Sequence, residues 1–177
     1  MPSGHVLTRG DVIAALGAER SLAEGSAPWT LRFIDLADRQ FEGQWQRVTI
    51  SGPDALAVVL PPHAGEPCRG DRMPLVGLAG ATVADTARRL ARMRDDYATA
   101  NQSCWSRIAE AAAAPFTTLV LTTAPLNADD YQAIVPAPGQ LFHLDGFHRL
   151  VGWAWAGRLT DGVRIPALVA GPPVALG

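Results

Sequence analysis

Within five positions the sequence sets an acid, a glycine, an imidazole and a guanidinium: Asp145, Gly146, His148 and Arg149, with Phe147 among them. Each residue type brings a definite chemistry. Amides that open a helix lack intrahelical partners, so the first turn attracts anions with about half a positive charge. Gly146 lets a ligand approach the backbone closely. Arg149 offers a fixed fork of donors suited to phosphate or carboxylate. His148 can bind phosphate, or hold and pass a proton near neutral pH. A carboxylate beside an anion site makes sense where a divalent cation or a transferred proton takes part, so Asp145 is a candidate metal ligand or base. Each residue also has a plainer role, Asp145 as a helix cap above all. Taken together they read as a ligand site, and replacing Arg149 by alanine is expected to abolish anion binding with the fold intact.

Such a turn has to be held between a strand and a helix. Gln140 to Leu144 reads as the strand, and a nearly all-apolar helix runs on to Ala156 and stops at Gly157. Trp153 and Trp155 lie on that helix, most of it core, with one tryptophan a candidate for a pocket or interface. Phe116–Thr123 is β-branched and apolar and should be the central strand. Val163–Ala170 is the last strand. After the central strand, Asn127 caps a short helix whose Asp129 and Asp130 are expected near the same mouth. His143, two residues before Asp145, should share its face.

Upstream, Thr8–Asp11 is a capping box for a short helix that Gly17 should stop. Trp29–Leu36, Gln44–Ile50 and Ala55–Leu60 read as strands, the last two joined by a turn at Ser51-Gly52-Pro53-Asp54, which makes an antiparallel meander. Leu75–Leu78 adds a short strand. Thr82–Asp85 caps a long helix with an apolar stripe through about Ala114, and Asn101-Gln102-Ser103 is where it could break. Arg88, Arg89, Arg92 and Arg94 lie on this helix. The pairs Asp85/Arg89 and Arg92/Asp96 stand four apart, so a self-paired, solvated face is expected.

Composition narrows the function classes. The chain has 177 residues, 48% of them hydrophobic and 18% charged, with a net charge of −2, so neither nucleic acid nor an anionic membrane is an expected partner. All 15 basic residues are arginine. Without lysine there is no Schiff base and no P-loop lysine, so phosphate chemistry falls to arginine, backbone amides or metal. Cys68 and Cys104 are too few for a disulfide scaffold or a zinc finger. Cys104 lies on the apolar stripe and reads as a packed thiol. Arg69-Gly70-Asp71 is read as a chance tripeptide. The start Met1-Pro2-Ser3-Gly4-His5 does not look like a signal peptide, and no apolar run reaches about 18 residues, so a cytoplasmic location is expected.

From the central strand to about residue 171 the chain resembles the ParB/sulfiredoxin-like superfamily. The resemblance rests on a strand, the run Asp145-Gly146-Phe147-His148-Arg149-Leu150, a helix closed by Gly157, and a further strand. It implies a core of strand, short helix, strand, motif helix and strand over residues 116–171; with residues 1–80 read from their own pattern as helix and meander and 81–115 as the long helix, a single α+β domain is expected. It also implies a turn that cradles nucleotide phosphates. The branch carrying Asp-Gly-His-His-Arg, the free serine kinases, phosphorylates a small hydroxyl substrate. Asp145, Gly146, His148 and Arg149 match that pattern, and Phe147 replaces the first histidine. Sulfiredoxins place a cysteine where Phe147 stands, and partition proteins have Gly-Glu-Arg-Arg followed by a DNA domain; neither activity is expected here. What the resemblance implies is a phosphotransferase-like enzyme using ATP or another nucleotide with Mg²⁺, Asp145 and His148 as catalytic residues, and Gly146 to Arg149 as the anion cradle. The kinases' catalytic glutamate lies far upstream and has no evident counterpart. A regulator that binds a nucleotide or anionic metabolite without turnover, and a non-kinase enzyme using His148 or His143 on a carboxylate or phosphate substrate, stay open. So does the role of residues 1–80, as a cover for the pocket or a homodimer contact.

Overall fold

The computed structural model describes residues 6–19, 28–62 and 73–173; His63, Cys68 and Arg69-Gly70-Asp71 lie outside them. In chain order the elements are β1 (Val6–Leu7), α1 (Arg9–Glu19), α2 (Pro28–Gln40), β2 (Trp45–Ser51), α3 (Gly52–Ala57), β3 (Val59–Leu60), β4 (Ala81–Thr82), α4 (Val83–Ala100), α5 (Gln102–Ala113), β5 (Leu119–Thr122), β6 (Phe142–Asp145), α6 (Phe147–Trp155) and β7 (Arg164–Ala170). The seven strands form one mixed sheet in the order β1-β2-β7-β5-β6-β3-β4. β5 runs parallel to β7 and antiparallel to β6, and β3 runs parallel to β6. The fold is α+β, and strands from both halves of the chain share the sheet.

The two sheet faces bury different helices. Val120, Phe142, Leu144, Leu168 and Ala170 pack with Val12 and Leu16 of α1 and Ile34 and Ala37 of α2. Leu119, Leu121, Ile165, Ala167 and Val169 pack with Leu90 and Tyr97 of α4, Cys104 and Ile108 of α5, and Leu150, Val151 and Trp153 of α6. Strand alternation sends successive side chains to opposite cores, so every residue of β5 is buried. That agrees with its reading as the central strand.

The expected meander does not form. Trp29–Leu36 is part of the helix α2, which opens on Pro28, where a missing N–H costs nothing. Its buried positions Thr30, Ile34 and Ala37 recur at helical spacing. Ser51-Gly52-Pro53-Asp54 is the start of α3 rather than a hairpin turn. The Asp54 N–H donates to Ser51 Oγ at 3.2 Å, and the Ser51 N–H donates to the Asp54 carboxylate at 2.9 Å. β2 therefore finds its partner far along the chain, in β7. Residues 75–78 form bends and turns, and the strand follows them at Ala81–Thr82. Thr82 caps α4 through a bond from the Asp85 N–H. The long helix divides at Asn101 into α4 and α5, and Met93 carries a non-helical φ of −125° inside α4.

α6 is drawn tightly onto α5. A Cβ at Gly152 would lie 2.6 Å from the Ile108 carbonyl oxygen, so only glycine permits that approach. At its far end the Gly157 N–H bonds to Ala154 O and the Arg158 N–H to Trp153 O, a Schellman closure at the expected stop. Trp153 is fully buried, edge-on to Phe116, and Trp155 meets Trp105 edge-on. Both tryptophans therefore take part in the packing of α6 against its neighbours.

Candidate functional site

The turn Asp145 to Arg149 leaves the end of β6 beside the start of β5, as the register Val120↔Asp145 shows. Gly146 is the N-cap of α6 with φ of +111° and, as a glycine, brings no capping side chain of its own. Here glycine is required twice over. The backbone angle is left-handed, and a Cβ would come within 2.7 Å of Leu119 Cδ2 and 3.1 Å of Arg149 Nη2. The space that glycine opens is thus shared with the guanidinium of the same motif.

Arg149 turns back over the turn. Its Nη1 donates to Thr118 O at 2.9 Å and to the Thr117 hydroxyl, and its Nη2 donates to Asp145 Oδ2 at 2.9 Å. Both partners of the ion pair are mostly buried, at 17% and 14% side-chain exposure. The other carboxylate oxygen of Asp145 accepts from Thr30 Oγ1 of α2 at 3.4 Å. Arg149 and Asp145 thereby brace three segments that sequence separates: α2, the approach to β5, and the motif. These contacts argue against the expectation that Arg149 can be removed with the fold intact.

A glutamate joins them. α1 continues past Gly17 to Glu19, whose carboxylate accepts the Thr118 N–H at 2.8 Å and the Thr118 hydroxyl. Glu19 and Arg149 thus converge on one residue, from opposite ends of the chain. Sequence reasoning misses Glu19 because it places the helix stop at Gly17. A glycine inside a short helix is tolerated at about 1 kcal/mol, and the run Gly17-Ala18-Glu19 keeps to helical backbone.

His148 is half-buried and lies beside Cys104. Tyr97 Oη donates to Cys104 Sγ at 3.0 Å, and Cys104 Sγ lies 3.4 Å from His148 Nε2. Tyr97 and Cys104 are fully buried, so α4 and α5 present a phenol–thiol pair to the imidazole. The thiol is packed, as expected, and it lies within hydrogen-bond reach of the ring. A sulfur receiving the phenol proton can direct its own proton at Nε2, which places the neutral ring's proton on Nδ1.

His143 and Asp145 do not share a face. The β5–β6 register shifts between Val120 and Leu121, so His143 stands opposite Leu121 while Asp145 stands opposite Val120. Bulges re-aim side chains in this way. His143 is 9% exposed with its ring edge-on to Phe147. Its carbonyl accepts from Tyr131 Oη at 2.6 Å. Burial, with the Asp130 charge beside it, pushes the Tyr131 phenol up, so this hydroxyl stays protonated.

Asp129 is placed elsewhere. β5 and β6 are antiparallel, so the loop after β5 leaves from the end where β6 begins, a strand length of about 10 Å from the motif turn. Asp129 is exposed in the single 3-10 turn Asp129–Tyr131 and accepts from Gln132 Nε2 at 3.0 Å. Asn127 does not cap that turn; Ala128 stands at the cap.

Among the described residues no three His, Cys, Asp or Glu side chains gather as a metal cage. Mg²⁺ is commonly held by one or two carboxylates together with substrate phosphates. Asp145 suits that mode, exchanging one of its present partners for the ion. None of the helices described is long and apolar enough to cross a membrane.

Fold and site define an α+β protein whose mixed sheet is covered by helices on both faces, with a left-handed glycine turn opening its most apolar helix. The chain belongs to a family of unknown function, DUF6309, whose model matches residues 19–176. The match begins at Glu19. No curated protein and no solved structure matches the chain.

Proposed function

We propose that the chain is a nucleotide- or phosphate-binding, phosphotransferase-like enzyme of the cytoplasm, acting on a small hydroxyl substrate from a ParB/sulfiredoxin-like core. One observation carries the reading: a left-handed glycine, Gly146, joins the end of β6 directly to the start of α6, the strand–glycine–helix turn that suits phosphate. Support comes from the order β5, short turn, β6, α6, β7, the order of elements that the resemblance implies, and from the two carboxylates at the same strand end. In this reading the amides of Gly146, Phe147 and His148 meet the phosphates, and Arg149 holds the turn in shape. His148, oriented by Cys104, donates to a phosphate oxygen or carries a proton. Glu19, which accepts from Thr118, fixes the approach to β5 beside the turn, and Asp145 takes the metal role. Mg²⁺, when bound with a nucleotide, would neutralise charge developing on its phosphates.

Equilibrium binding of ATP, ADP and CTP, with and without magnesium, tests the reading. Binding that strengthens with magnesium and weakens at least tenfold in His148→Ala is expected. The absence of binding at millimolar nucleotide would overturn it. A second reading is favoured by the engagement of both Asp145 oxygens, with Thr30 and Arg149. A carboxylate so occupied suits a non-catalytic protein that binds the nucleotide and passes the signal to a partner. Binding without turnover across a panel of hydroxyl amino acids selects that alternative.

A further inference from the structure

The arginines of α4 do not pair as their spacing suggests. Asp85 pairs with Arg88, three residues on, and Arg94 pairs with its neighbour Asp95 at 2.7 Å. The expected partners Arg89 and Arg92 are left without an ion pair among the described residues. Both are exposed, and both line a depression of about 410 Å³ at the β4 edge of the sheet, with Arg88, Thr86, Gly77 and Leu75 around it. The wall opposite α4 is a tight turn, closed by the Gly80 N–H to Gly77 O at 2.9 Å. None of these residues belongs to the motif turn.

From this arrangement we infer a second, separate ligand site: the groove between α4 and the 77–80 turn binds a phosphate monoester. The charge balance selects the class. Asp85 offsets Arg88, and two guanidinium charges remain, matching a phosphoryl group that carries up to two negative charges at neutral pH. Guanidinium forks meet phosphate oxygens two at a time, so Arg89 and Arg92 can hold one group between them. The volume falls within the roughly 300–1,000 Å³ of small-molecule pockets and has room for an organic part beyond the phosphate. Leu75 and Ala81 offer that part an apolar wall. A solvated basic face would need no concavity, and its charges would gain little from one another.

The test uses the full chain, ¹H–¹⁵N spectra, and phenyl phosphate as probe, with inorganic phosphate and benzoate as the comparison arms. Phenyl phosphate is expected to shift the amides of Gly77, Gly80 and Thr86 with a millimolar or lower dissociation constant. Inorganic phosphate should bind the same residues more weakly, and benzoate more weakly still. The double variant Arg89→Ala/Arg92→Ala should lose at least tenfold in affinity, while Arg107→Ala, an exposed arginine of α5 away from the groove, keeps it. Should the double variant fold poorly, Arg89→Gln alone should lose about threefold. Equal affinity in all variants, shifts centred on Gly146 instead, or no shift at 10 mM probe overturns the proposal. Because the reporting amides differ from those of the motif turn, failure here leaves the nucleotide reading untouched, and the reverse also holds.

Discussion

Arg149 and the pair Arg89/Arg92 are the same residue type in a chain without lysine, yet the fold uses them in opposite ways. Arg149 is mostly buried and spends its donors on Thr117, Thr118 and Asp145. Arg89 and Arg92 are exposed on α4, where Asp85 pairs with Arg88 and Asp95 with Arg94. The densest cluster of polar residues in the sequence is therefore partly self-satisfied, and the cluster whose spacing suggests self-pairing leaves charge to spare. A local motif proposes partners; tertiary placement decides which are taken.

The sharpest way to break this contrast is Arg149→Ala. Removing one partner of a mostly buried, hydrogen-bonded ion pair costs about 3–5 kcal/mol, because the other charge is left without compensation. A loss of that size lowers the melting temperature by roughly 6–20 °C in a chain of this length. Arg149→Lys should recover only part of it, since one ammonium cannot span three acceptors. Arg89→Ala should change the melting temperature by less than about 2 °C, as exposed substitutions do. Equal losses at Arg149 and Arg89 in chemical denaturation would erase the distinction between them.

Next in size is Gly146→Ala. A left-handed backbone and a Cβ that collides with Leu119 and Arg149 together cost about 1–3 kcal/mol. Denaturation midpoints measure this, and an unchanged midpoint would mean that the turn is not held as described. Cys104→Ala comes third. It removes the thiol between Tyr97 and His148 at a cost on the order of 1–2 kcal/mol. Ring ¹⁵N shifts should then show His148 moving from one dominant tautomer to a mixture, while Cys104→Ser, which keeps a donor, preserves the pattern. A ring spectrum indifferent to all changes at Cys104 would remove the thiol from the account.

The smallest effect concerns Asp85. The Thr82 hydroxyl bond first, and then Arg88, hold its carboxyl below the usual carboxylate range, against an opposing effect of burial. A depressed folded-state value contributes stability above the unfolded value of about 3.9, and this is lost as pH falls through the folded one. Asp85→Asn should therefore flatten the acid limb of the stability curve slightly, by less than about 1 kcal/mol, because the pair is exposed and screened. A larger acid-side loss in the variant than in the parent chain has the wrong sign for this cause.

How much of this is legible in the sequence follows from the range of the forces involved. The β6–α6 turn, the Gly157 stop and the Thr8 and Thr82 caps are set by residues within five positions of one another, and local pattern places them where the fold has them; the central strand lies within the expected Phe116–Thr123 but is limited to Leu119–Thr122. Trp29–Leu36 reads as a strand and folds as a helix, because a run holding Leu31, Phe33, Ile34 and Leu36 matches the two about equally well; the burial of Thr30, Ile34 and Ala37 resolves it. The Ser51 turn misleads for a related reason, since Ser-Gly-Pro-Asp serves a hairpin and a helix cap alike. The pairing of β2 with β7 is not legible, because it joins segments more than a hundred residues apart. The same limit applies to the site. Asp145 to Arg149 stands out as a local cluster. The roles of Glu19, Thr30 and Cys104 depend on contacts that only the folded sheet creates.

The most direct test of the central claim is a magnesium-ATP titration of the ¹⁵N-labelled full chain, following the amides of Gly146, Phe147 and His148. Nucleotide bound at the head of α6 predicts saturable shifts at these three amides, at millimolar ligand or below, and smaller shifts without magnesium. Unmoved amides at saturating nucleotide, or shifts confined to residues away from the turn, would contradict it.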